Sequence, residues 1–183
     1  MLIDEFMPAY DISKKYSLTV SAPIDKVFNA LKNADVNDSP IVRFLFFMRG
    51  LPAIFKSQNH RFEKKRLTLS DIAGSGFMLL GEKPNEEIAI GVVGRFWHWT
   101  GNIQRILPEH FLTFNEKGFA KAVWNFSLKK SDDQTTALTT ETRICCMDDK
   151  SRKKFRLYWN VIGPFSGVIR KEMLRIIKRN AEE

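Results

Sequence analysis

Residues 137–146, ALTTETRICC, set a carboxylate and a guanidinium two positions apart in what reads as a β-strand. A period of two puts Glu141 and Arg143 on one face and Thr140, Thr142 and Ile144 on the other. The second set is the more apolar. The default therefore turns it inward and leaves Glu141 and Arg143 in solvent, as a pair worth about 0–1 kcal/mol. The alternative turns the pair into a cavity. There it survives only if well hydrogen-bonded, and it would orient the polar head of a ligand. Both readings stand at this point, with at least one of the two side chains expected to touch a pocket. A second cluster, GRFWHWTGN over 94–102, follows an apolar strand. At a cavity mouth Trp97 and Trp99, beside Arg95, would stack on a ligand or close over it; otherwise the two rings simply cap the core. His98 between them reads as a surface residue, because a lone His needs an oriented partner to act as a base. Tyr158 is either a hydroxyl donor in an apolar pocket or a core ring bonded to backbone. Trp159 adjoins it, and Trp124 sits on the apolar face of a long strand. Arg95, Trp97, Trp124, Glu141, Arg143, Tyr158 and Trp159 are thus the candidate ligand-binding residues.

Catalytic chemistry has less to build on. Nucleophilic catalysis needs a nucleophile, a base and an orienting group within reach. The chain has no GxSxG, no defensible Ser-His-Asp order and no convincing Cys-His pair. No Gly-rich stretch is followed by Lys-Ser or Lys-Thr, so no phosphate loop is expected. His60, His98 and His110 are isolated, and no metal-ligand spacing exists. No catalytic residue, metal or other cofactor is expected.

The elements that must position these residues follow from periodicity. Residues 10–21 alternate as a strand, with Ile12, Tyr16, Leu18 and Val20 on one face. Ser21 and Pro23 then start a helix over 23–34, in which Val27, Phe28 and Leu31 recur at helical spacing. A very apolar helix is expected over 41–49. Turn-separated strands follow over 67–72, 77–82, 87–93, a loose one ending at Pro108, 111–114, 119–130 and 135–147. Asp148 and Asp149 then open a helix running nearly to the end. Its apolar stripe passes through Gly163 and Pro164, where a bend is expected. A curved antiparallel sheet with one apolar face needs a cover, and the long terminal helix is the only element large enough.

That order, strand, two short helices, meander, long helix, resembles the helix-grip fold of the START and Bet v 1-like superfamily, also called SRPBCC or polyketide cyclase-like. YSLTVSAPIDKVFNAL resembles its first strand and helix. GVVGRFW, TTETR, FRLYW and IRKEMLRIIKRNAE look like a bacterial branch of it. The resemblance implies one α+β domain over 1–183, with about six to seven strands curled around a long kinked C-terminal helix. It also implies an internal cavity for a lipid- or polyketide-like molecule, with the apolar 44–48 segment as its lid. The runner-up it offers is a cyclase or dehydratase, in which Glu141, Arg143 and Tyr158 would hold or protonate a carbonyl-bearing substrate.

Composition bounds the remaining classes. At 183 residues the chain can bury roughly 70% of its unfolded surface without disulfides or metal. Fifteen Phe and four Trp suit either a thick core or a core wrapped around an apolar hole. No run of about 18 apolar residues is present, and the first residues carry no secretory pattern. The two Cys, Cys145 and Cys146, are adjacent and read as reduced thiols, which fits a cytoplasmic setting. The net charge of +8 concentrates late, at Arg170, Lys171, Arg175, Lys178 and Arg179. A solvated helix face is the simplest account. Peripheral contact with an anionic membrane is the other, and nucleic acid is not expected because no recognition motif accompanies the charge. The oligomeric state is left open between monomer and homodimer.

Overall fold

The computed structural model describes residues 1–35 and 77–183. The helix expected over 41–49, its 44–48 lid segment, the strand over 67–72, His60 and the 74–76 turn lie outside the described residues. In chain order the elements are α1 (Leu2–Phe6), β1 (Ile12–Val20), α2 (Ile24–Asn33), β2 (Met78–Lys83), β3 (Glu87–Gly94), a 3-10 turn (Pro108–His110), β4 (Ala120–Asp132), β5 (Thr135–Cys146) and α3 (Asp149–Glu182). The five strands form one antiparallel sheet in the order β1-β5-β4-β3-β2, with α3 packed on β1, β5 and α2. This is the α+β helix-grip arrangement.

Three expectations need correction. Among the described residues the sheet has five strands, not six or seven. The loose strand before Pro108 is a single bridge, Val93 to Gln104. Residues 111–114 form a turn, and Phe111 is buried there as an anchor rather than as part of a ladder. Apolar residues flanked by turn residues mark burial, and burial alone does not select the extended backbone.

The strand alternation sorts two cores. On the inner face Ile88, Ile90, Phe126, Leu138 and Val20 meet Val27, Phe28 and Leu31 of α2 and Met173, Leu174, Ile176 and Ile177 of α3. Each fully buried side chain of this kind contributes about 1.5–3 kcal/mol. On the outer face Ala89, Val93, Phe119 and Val123 are covered by Leu2, Ile3 and Met7 of the α1 segment and by Phe111. All eight residues of β3 are buried, as expected of a strand covered on both sides.

Two local devices shape the interior. Asp148 caps α3 by accepting the Ser151 N–H at 2.9 Å and the Ser151 hydroxyl at 2.6 Å. Gly167 lets α3 lie directly on β1: a Cβ there would stand 2.5 Å from the Tyr16 hydroxyl. Pro164 lies within α3, which remains helical on both sides of it; its ring nitrogen leaves the fourth preceding carbonyl without its usual helix donor.

Candidate functional site

The inner core is filled where α2 and the C-terminal half of α3 meet the sheet. Beneath the N-terminal half of α3 it is not. There a cavity of about 590 Å³ lies between Phe155, Tyr158, Trp159, Ile162 and Ser166 of α3 and Ile90, Val92, Ala122, Trp124, Thr142 and Ile144 of the sheet. Residues Phe96, Trp97, Trp99 and Ile103 close one side.

The closing loop follows from its glycines. Gly94 ends β3, and a Cβ there would meet the Gly101 carbonyl oxygen at 2.8 Å. The Arg95 N–H donates to that same carbonyl at 2.8 Å, and Gly101 itself has φ +68°. The two ends of the loop are thereby pinched together. Phe96 is driven inward, edge-on to Phe155 at 6.1 Å between centroids. Trp97 is half-buried, and Trp99 stands at the rim, 84% exposed. His98 is exposed. On α3, Trp159 stacks on Phe155 at 5.5 Å, and the bare Cα of Gly163 leaves room for the indole one turn earlier. Across the sheet the Trp124 indole N–H donates to Thr140 Oγ1 at 2.6 Å, which fixes the ring against the cavity wall.

One polar cluster interrupts this apolar lining. Arg170, 7% exposed, donates through Nε to Thr142 Oγ1 at 2.6 Å. Its Nη1 donates to the Ser166 hydroxyl at 2.6 Å and the Ser166 carbonyl at 2.8 Å. The basic membrane-facing stretch expected to begin at Arg170 therefore loses that residue, which lines the cavity. Its burial was legible: Arg170 lies four residues after Ser166 and three before Met173, on the stripe α3 turns inward.

The opening pair has a different fate from both readings of the sequence. Glu141 and Arg143 do not line this cavity, and they are not in solvent; they are 7% and 9% exposed on the outer face. The α1 segment covers them, a helix foreshadowed by Leu2, Ile3, Phe6 and Met7 at helical spacing. Arg143 Nε donates to Glu141 Oε1 at 2.7 Å, Nη2 pairs with Asp4 at 2.8 Å, and Nη1 donates to the Met7 carbonyl at 3.0 Å. Ser13 Oγ also donates to Glu141, at 2.9 Å. Burial pulls the Arg143 guanidinium down, but its bonds to Glu141 and Asp4 outweigh that, so the net shift is upward. The Arg143 hydrogen bond holds the Asp4 carboxyl below its ordinary value.

The same face holds two groups the sequence did not single out. Glu87, 2% exposed, accepts the N–H groups of Leu2 at 2.6 Å and Ile3 at 3.1 Å. It also accepts from the Asn125 side-chain amide at 2.6 Å, and Asn125 in turn accepts the Glu141 N–H at 2.9 Å. The network pins α1 to the sheet. A carboxylate opening a strand otherwise buried on both faces was the available signal.

Of the candidate residues, then, Trp97, Trp124, Tyr158 and Trp159 line the cavity, and Glu141 and Arg143 do not. Arg95 lines an adjoining depression, with its guanidinium 4.4 Å over the Phe119 ring. Among the described residues no group of three or more His, Cys, Asp or Glu is placed to hold a metal, and no helix is long and apolar enough to cross a membrane. The thiols are unbridged, with Cys145 toward the outer core and Cys146 toward the inner.

No protein-family model matches the chain, and no curated protein matches it. Among solved structures it is similar to the Zhui aromatase/cyclase from Streptomyces sp. R1128, at 14% identity over 93% of each chain with a TM-score of 0.32.

Proposed function

We propose that the protein binds an apolar or amphipathic small molecule between the sheet and the N-terminal half of α3. The observation that carries this reading is the unfilled interior of about 590 Å³, walled mainly by aromatic and aliphatic side chains, with a buried polar cluster at Thr142, Ser166 and Arg170 and with His98 and Lys154 also in its lining. Volume, lining and sparse polar groups match what small organic ligands need. Elsewhere this protein packs its interior with Phe and Leu, so the space is not a general failure of packing.

The cyclase or dehydratase alternative called on Glu141, Arg143 and Tyr158 to act on a carbonyl. Only Tyr158 is at the cavity, so that assembly does not form. Binding without an assigned reaction is the better-supported reading.

Native mass spectrometry of freshly purified protein, paired with titration of the neutral fluorophore N-phenyl-1-naphthylamine, tests it. The expected result is a co-purified mass or saturable fluorophore binding, weakened by Ala122→Trp, which fills the space. Absence of both adduct and fluorophore binding overturns the reading.

A further inference from the structure

We propose that the ligand carries an anionic head, seated in a basic depression that adjoins the cavity. This deepens the reading above and rests on it. The depression has a volume of about 570 Å³ and shares Trp97, His98 and Lys154 with the cavity lining. An apolar space and a polar space thus meet across one indole.

The charges favour an anion. Arg95, Lys117, Lys150 and Lys154 line the depression against two carboxylates, Asp148 and Asp149. Both carboxylates are already engaged. Asp148 accepts from Ser151 and from the Gly118 N–H at 2.5 Å, and Asp149 pairs with Arg152. None of the four cations is in an ion pair among the described residues. Arg95 is held by its stack on Phe119, which leaves its charge without a carboxylate.

Two donors point the same way. Arg95 Nε and Trp97 Nε1 are buried and have no acceptor among the described residues. Buried N–H groups in a folded protein are nearly always satisfied, so an orphaned pair beside a cationic hollow calls for an acceptor from outside. A phosphate, sulfate or carboxylate head supplies oxygens to both donors and charge to the lysines, while its hydrocarbon body passes Trp97 into the cavity. A neutral apolar ligand leaves both donors unmet. The shared chemistry is an anionic amphiphile, either free in solution or drawn from a bilayer.

The test is competition against bound N-phenyl-1-naphthylamine by dodecyl phosphate, dodecanol and inorganic phosphate. Dodecyl phosphate should compete about tenfold better than dodecanol, since one charge-assisted hydrogen bond is worth that much. The gain should shrink as salt rises, and Lys117→Gln/Lys150→Gln should remove most of it while leaving dodecanol unchanged. Both lysines are exposed, so the variant should fold as the parent does. Equal competition by the two chains, or a gain that survives the double variant, overturns the proposal and leaves cavity binding intact. Failure of both chains to compete sinks the cavity reading itself. Incubation with phosphatidylcholine vesicles doped with phosphatidic acid separates the two sources: phosphatidic acid recovered on the protein means a membrane lipid, and dodecyl phosphate binding without such recovery means a free amphiphile.

Discussion

The two faces of the sheet are built from the same strands and treated in opposite ways. On the outer face the middle of the sheet is closed, around Ala89, Val93 and Val123. A short helix lies over the strands, and the charged groups beneath it are tied to one another and to its backbone. On the inner face the helix is seven times longer and covers less completely, because α2 supports only one half of it. Charge is spent on closure where the protein is solid, and hydrocarbon lines the region where it is hollow. A buried ion pair therefore marks architecture here rather than chemistry, since such a pair persists only when its hydrogen bonds are complete.

The largest break in this contrast should come from Glu141→Ala. It leaves Arg143 buried with fewer acceptors, and chemical denaturation should show a loss of about 3 kcal/mol. Fluorophore binding in the cavity should be unchanged in the folded variant; a loss of binding at unchanged stability would reverse the assignment of faces. Next come two additions of carbon. Gly91→Ala puts a Cβ 2.8 Å from Leu80 and 3.0 Å from Phe111 on the outer face, and should cost about 1–3 kcal/mol. Ala122→Leu adds more carbon on the inner face yet should cost less than about 1 kcal/mol, while weakening fluorophore binding about tenfold. Equal costs for the two would mean the inner face is as full as the outer.

Two smaller effects sharpen the picture. Burial pushes the Cys146 thiol up to about 12, and Cys145 is raised for the same reason. Alkylation at pH 8 should therefore be slow at both in the folded protein, slowest at Cys146, and fast in denaturant. At the start of α3 the hydrogen bonds from Ser151 and Gly118 hold the Asp148 carboxyl far below its ordinary 3.8. A depressed value in the folded state means the stabilisation is present above the unfolded value and is lost as pH falls. The stability gap between the parent and Asp148→Asn should accordingly be full above about pH 4 and narrow progressively as pH falls below it.

The sheet was legible because alternation is a strong signal. Trp124, Phe126, Leu128 and Leu138 identify the inward face of β4 and β5 unaided. The same alternation misjudged Glu141 and Arg143, because parity says which face a residue takes and nothing about whether that face is covered. Coverage depended on α1, a single turn and a half whose apolar residues lie more than 130 positions away in sequence. The cavity followed the same logic. Fifteen Phe were compatible with a filled or a hollow interior, and the choice turned on how far α2 extends under α3, a tertiary distance that no local pattern records. Trp97 was found because aromatics beside a glycine turn are conspicuous, and Tyr158 and Trp159 because they lie on the apolar stripe of α3. Arg170 was passed over because a basic run hid the one member that faces inward.

The missing side chain at Gly167 has a geometric meaning. By letting the terminal helix rest on Tyr16, it keeps the helix close to β1, while the cavity lining reaches Ile90 and Val92 of β3. A methyl group there would stand 2.5 Å from the Tyr16 hydroxyl, so either the phenol ring or the helix would have to give way. How near helix and strand stand at that edge thus depends on an atom that is not there, at a residue outside the cavity lining.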